Sequence, residues 1–116
     1  MSDTKNLLEL YVADKLKKID KYARPTKASG ASTEIGDILN KFFFVECKMR
    51  TTSSVTIQRK VWYELLGKLP LKTKKLPIYA LENKHKDRFI ALDLDDFFRI
   101  IYTLYCNQYA RGGEEE

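Results

Sequence analysis

The sequence predicts an α/β domain with a mixed sheet. Apolar residues recur at helical spacing in three separate segments. Short runs rich in Phe, Val, Ile and Tyr lie between them and read as strands. Clusters of Pro, Gly, Ser, Thr and Asn sit at the joins. The resulting order is helix, two or three strands, helix, two strands, helix, which fits a small α/β fold. A chain of 116 residues suits one domain with one modest core.

The first helix is expected over 4–23. Leu7, Leu8, Tyr11, Val12, Leu16, Ile19 and Tyr22 recur every three or four residues, and Lys15, Lys17, Lys18 and Lys21 occupy much of the rest. Pro25 ends it. "RPTKASGAS" has no periodicity and reads as a loop or a short irregular strand. "EIGDIL" and "FFFVECKM" are strands flanking Asn40-Lys41, which suits a tight hairpin turn. "TTSS" offers N-caps for a helix over 55–69, whose apolar stripe is Val61, Trp62, Leu65, Leu66 and Leu69. "LPLKTKKLP" closes that helix. "IYALE" and "RFIALDL" are strands joined by "NKHKD". The last helix is "LDDFFRIIYTLYCNQYA", with Asp95 and Asp96 in the first turn, where the helix dipole favours acids. Residues 1–110 thus form a single domain, and "RGGEEE", 111–116, reads as a flexible acidic tail.

Composition narrows the class. A hydrophobic fraction of 44% with 12% aromatics predicts a folded chain. No apolar run approaches the ~18 residues of a membrane span, and the N-terminus lacks the apolar core of a signal peptide. Cys47 and Cys106 are too few and too far apart for a zinc site, and are expected to be reduced, buried thiols of an intracellular protein. The net charge is +5, and three of the 16 acids form the terminal Glu-Glu-Glu, so the body carries +8. Such a body points to an anionic partner, nucleic acid above all, against the plainer reading of a solubilising lysine surface.

Chemistry concentrates at Asp37, Glu46 and Lys48. Side chains alternate along a strand, so Glu46 and Lys48 share a face with Phe42 and Phe44, while Phe43, Val45 and Cys47 take the other. Both faces are apolar, which predicts a strand covered on both sides. A two-residue turn at Asn40-Lys41 pairs Asp37 with Phe44 and brings it diagonal to Glu46; a three-residue turn puts Asp37 on the wrong face. Two carboxylates converging on a covered sheet are costly unless a cation lies between them. Oxygen-only ligands suit Mg²⁺ or Mn²⁺. Lys48 is then placed to orient a water or to neutralise charge on a phosphodiester under attack. The plain alternative is an Asp and a Glu–Lys pair at a solvated strand end.

A helix, then "SGAS", then "GDI", then "FFFVECKMR", then a helix and a strand, resembles the PD-(D/E)XK nuclease superfamily. Within it the pattern is most similar to small Holliday junction resolvases of the archaeal and phage type, over about residues 9 to 100. The resemblance implies a restriction-endonuclease-like mixed sheet in the order α-β-β-β-α-β-β-α. It implies Asp37 and Glu46 as metal ligands with the Cys47 carbonyl as a third, and Lys48 as the catalytic lysine. It further implies Glu9 as the helix acid, with Asp14 as rival, and Ser29 as the loop serine near the scissile phosphate. Gly36 stands where many members have Pro. Gln58 is a weak match to a helix position that often holds Gln or Lys, Glu34 reads as a strand-edge charge, and His85 has no assigned role.

The sequence reading is therefore a Mg²⁺-dependent endodeoxyribonuclease, with Mn²⁺ also acceptable, acting on branched or four-way-junction DNA. Arg24, Lys27, Ser29, Arg50, Arg59 and Lys60 are the candidate DNA contacts. The aromatic surplus of the last helix (Phe97, Phe98 and Tyr105, with Ile101 among them) suits a homodimer. The alternatives are another nuclease of the superfamily serving repair, recombination or replication, and a non-catalytic nucleic-acid-binding module on the same fold.

Overall fold

Helix α1 (Asp3–Leu16) opens the chain in a computed structural model that describes residues 3–26 and 36–115, with side chains described for 7–26 and 36–106. The elements after it are β1 (Arg24–Pro25), β2 (Ile38–Leu39), β3 (Phe43–Met49), α2 (Arg59–Lys68), β4 (Leu76–Glu82), β5 (Arg88–Leu92) and α3 (Leu94–Glu115). The expected element order holds, and the domain is α/β with a mixed sheet.

That sheet has three strands in the order β3-β4-β5. β3 and β4 are parallel, joined through α2 as a parallel pair requires, and β4 and β5 are antiparallel. Its two faces carry separate cores. Val45, Ile78 and Ala80 pack with Ala13 and Leu16 of α1 and with Ala23 and Ile38. Phe44, Tyr79 and Leu81 pack with Leu65 of α2, with Trp62 and Val61 alongside. Alternation along β3 thus divides its phenylalanines and valine between two helices, as its apolar run requires.

The first helix stops sooner than its apolar spacing suggests. Lys18 N–H donates to Lys15 O and Ile19 N–H to Leu16 O, tightening the end into a turn. Asp20, buried, then accepts from the N–H groups of Tyr22 and Lys41. That carboxylate ties the segment after the helix to the turn before β3, and Ile19 and Tyr22 are exposed. "TTSS" does not cap α2, which begins at Arg59 with Gln58 in the cap position and no side-chain cap bond. Those residues dock on the β4–β5 turn instead: Lys84 N–H donates to Thr52 O, and the Asn83 amide donates to Ser53 O. Asp93 caps α3 by accepting from the Asp95 and Asp96 N–H groups. α3 continues through Glu115, beyond the Ala110 at which the apolar pattern ends.

The hairpin expected at Asn40-Lys41 is absent. β2 pairs with β1, and β3 begins only at Phe43. The Asn40 side chain explains why. Its Oδ1 accepts from the N–H groups of Phe42 and Phe43, and its Nδ2 donates to Ile38 O and Phe43 O. One buried amide satisfies the backbone that a hairpin ladder would have used.

Candidate active site

Asp37 reaches β3 from the side. Gly36 forms a parallel bridge with Val45 on the strand edge away from β4. Asp37 N–H donates to Val45 O at 2.7 Å, and Asp37 Oδ2 accepts from Cys47 N–H at 2.7 Å. Thr26 holds the segment from outside, its N–H on Asp37 O and its hydroxyl on Gly36 O. The approach depends on glycine. Gly36 has φ +83°, and a Cβ there would lie 2.7 Å from Val45 O and 3.1 Å from Val45 N. Proline, with φ fixed near about −65°, cannot adopt this conformation, which gives Gly36 a physical reason.

Glu46 and Lys48 follow Phe44 on the α2 side, as alternation predicts. Glu46 is 7% exposed, and its Oε1 accepts from Lys68 Nζ at 2.8 Å. Glu9, half-buried on α1, completes the group, and its carboxyl is held above its ordinary range by burial and by the charges of Asp37 and Glu46. Asp37 is likewise raised, first by burial and further by Glu46, against the opposing pull of the Cys47 N–H, Lys48 and Lys68. Asp14, the rival helix acid, is exposed. Three acids from a helix, a crossing segment and a strand therefore feel one another around the outer edge of β3. The resemblance implied this trio, but the predicted turn parity does not produce it. Asp37 arrives through a parallel bridge and not through a hairpin register.

The Cys47 thiol is no ligand in this arrangement. It packs against the α1-side core, and burial with three nearby acids pushes its pKa strongly up, keeping it protonated. Its carbonyl is placed differently. In a strand a residue's N–H and C=O point to the same side. The Cys47 N–H faces Asp37, so its C=O lies on that edge as well. Asp37, Glu46 and the Cys47 carbonyl are the oxygen donors that could hold a divalent ion here, a donor type that suits Mg²⁺ or Mn²⁺. Among the described residues no three His, Cys, Asp or Glu side chains stand together as a full protein-only ligand group. The Lys68 ammonium stands as a cation against one of those acids, Glu46.

Lys68 is the site residue that sequence reading missed. It lies three residues after Leu65, the buried residue of α2, so it interrupts that helix's apolar face. A lysine on a core-facing stripe, on the helix that returns a parallel crossover, was the available signal. Gln58, the weak candidate for that helix role, caps α2 and is exposed.

The remaining candidates lie on several elements. Arg24 is exposed on β1, Arg50 is half-buried just after β3, and Lys60 is exposed in the first turn of α2. Arg59 stacks its guanidinium over Tyr63, 4.8 Å from the ring centre. Lys27, Ser29 and Glu34 lie outside the described residues. His85 hydrogen-bonds Ser53 in the β4–β5 turn and takes no part in the site. The two thiols depart from expectation: Cys47 is half-buried, and Cys106 is exposed because it lies on α3, where nearby apolar side chains such as Tyr102 and Leu104 are exposed too. No helix among the described residues is long and apolar enough to cross a membrane. Comparison with family models, with curated proteins and with solved structures finds no match for this chain.

Proposed function

We propose that this chain is a divalent-metal-dependent endonuclease of the PD-(D/E)XK type, with a restriction-endonuclease-like fold, cutting branched DNA such as a four-way junction. One observation carries the reading. Asp37 is tied to the outer edge of β3 by the Cys47 N–H at 2.7 Å, beside the buried Glu46 that precedes Cys47, and burial together with their mutual charges raises the carboxyls of Asp37 and of Glu9 on α1. Acids gathered in a partly buried place on a basic protein are costly, and a cation-dependent reaction gives that cost a purpose.

Asp37, Glu46 and the Cys47 carbonyl would hold the ion, which when bound supplies a polarised phosphoryl oxygen and a more acidic water. Lys48 follows Glu46 on the same face of β3, its charge acts on Asp37, and it has no carboxylate within ion-pair distance among the described residues. It is free to orient the attacking water and to offset charge gained by the phosphate. Glu9 holds or releases a proton at its carboxylate beside the ligands. Arg24, Arg50, Arg59 and Lys60 supply backbone contacts, so binding should weaken steeply with salt. A homodimer would present two such edges to two strands.

The test is a panel of junction, flap, single-stranded and duplex DNA with Mg²⁺ or Mn²⁺. Wild type should cut the junction, and Lys48→Ala should bind it without cutting. The Glu46–Lys68 pair favours a second reading, a non-catalytic DNA-binding module whose acid is permanently neutralised by lysine. Equal binding and no cutting by both proteins would establish that reading.

A further inference from the structure

Glu46 is the most withdrawn of the site acids, yet its ion pair is not with Lys48 two residues along its own strand. It is with Lys68, from the last turn of α2, at 2.8 Å. The two partners differ in their freedom. The Glu46 side chain is 10% exposed and that of Lys68 46%. A carboxylate so placed cannot stay unpaired without cost. The ammonium sits on a flexible four-carbon stem with its outer half in water, so it can leave without repacking the core.

We propose that Lys68 is the resting counter-ion of this site: its ammonium holds the cation position at Glu46 and moves away when a divalent ion binds. The inference rests on the nuclease reading of the site. Glu46 Oε1 is the oxygen that Lys68 takes, and an ammonium and a divalent ion drawn to the same carboxylate repel each other at contact distance. The charges nearby support an exchange. Glu9, Asp37 and Glu46 face two lysines, Lys48 and Lys68, so replacing one ammonium by a divalent ion removes the remaining negative excess. Lys68 thus lowers the site's affinity for metal and keeps the fold intact without it. It is a positioning residue, with no contact to substrate required of it.

The experiment is Mn²⁺ titration of full-length wild type and Lys68→Met by calorimetry, since methionine keeps the apolar stem and removes the charge. A second readout is lysine acylation of wild type followed by mass spectrometry, with and without Mg²⁺. The expected result is Mn²⁺ binding about tenfold tighter in Lys68→Met, a change of about 1.4 kcal/mol, together with greater acylation of Lys68 when Mg²⁺ is present. Equal or weaker Mn²⁺ binding by the variant would overturn the inference. So would tighter binding with no change in acylation, since Lys68 would then act at a distance without vacating Glu46. The two ideas fail separately. Junction cleavage by wild type with unchanged metal affinity in the variant sinks the counter-ion and keeps the nuclease. Tighter binding by the variant with no cleavage by either protein does the reverse.

Discussion

Asp37 Oδ2 accepts the Cys47 main-chain N–H at 2.7 Å, so the edge of β3 itself fixes the carboxylate. The bond ties a side chain from an irregular segment to the middle of a packed strand. Asp37 needs no hairpin to be held there. It needs only that Gly36 come close enough to Val45 for the bridge to form.

Gly36→Ala should therefore cost both stability and the site. The added Cβ meets backbone, which cannot rotate away, and the positive φ is strained for alanine. The expected loss is about 1–3 kcal/mol, or roughly 5–15 °C in Tm for a chain of this size. A thermal melt measures it. An unchanged Tm would mean that the bridge is not a fixed part of the fold.

Asp37→Asn should do the opposite at neutral pH. The amide oxygen can still accept from Cys47 N–H, and the charge facing Glu9 and Glu46 disappears, at the loss of attraction to Lys48 and Lys68. Because the folded pKa of Asp37 is raised, the folded state holds its proton more tightly than the unfolded chain. Stability then falls as pH rises from the unfolded value through the folded one. The variant should melt a few degrees above wild type at pH 7, roughly what 1 kcal/mol gives. The gap should close as pH drops toward 3.8, the ordinary value for this acid. Adding Mg²⁺ should also narrow it, by stabilising wild type alone. A gap that does not change between pH 7 and pH 4 would contradict the coupling.

The two helices that sandwich the sheet, the strand runs and the element order were legible because periodicity and composition set them locally. Phe43, Phe44 and Val45 announced a strand covered on both faces, and both faces carry a core. Asp37's route was not legible. It depends on Asn40 satisfying the turn with its side chain and on Asp20, in the turn after the first helix, accepting from Lys41, 21 residues away. Neither leaves a periodic trace. Lys68 was hidden for a related reason: a lysine in a helix reads as solvated surface until a buried Glu46 is found opposite.

Arg88→Ala tests a second buried acid, on the α1 face. Glu82 is 2% exposed, accepts from Arg88 Nε at 2.9 Å, and lies 3.5 Å from Lys86. The same guanidinium stacks on Tyr11 of α1, 4.1 Å from the ring centre. Removing it leaves a buried carboxylate with, among the described residues, only the longer Lys86 ion-pair contact, and loosens α1 from the β4–β5 hairpin. About 3 kcal/mol should be lost in urea unfolding. Arg88→Ala with Glu82→Leu should recover much of it, because a buried pair can be replaced by apolar packing at little cost. A large loss that the double variant does not reduce would show that the Tyr11 stack, and not the stranded charge, is what matters.

Helix α3 presents an exposed apolar surface. Its apolar side chains fall at helical spacing, with Phe97, Ile101 and Leu104 on one line and Phe98 and Tyr102 beside it. All five are 39–64% exposed. Phe89 and Ile90 on β5, the strand that leads into α3, are also exposed, at 47% and 61%. Phe89 and Ile90 are consecutive in a strand and face opposite sides of the sheet, but the five side chains of α3 alone offer on the order of several hundred Å², the upper range of what a monomer leaves open. A twofold pairing through α3 would cover that surface, and pairing along β5 would close an edge whose backbone is unpaired among the described residues. Light scattering at micromolar protein should give twice the chain mass of 13.6 kDa. Ile101→Lys with Phe98→Asp should give the monomer with unchanged far-ultraviolet circular dichroism, because neither side chain belongs to either core cluster. A wild type that stays monomeric at high concentration would remove the dimer, and with it the symmetric arrangement of two cutting edges, while leaving each single site as described.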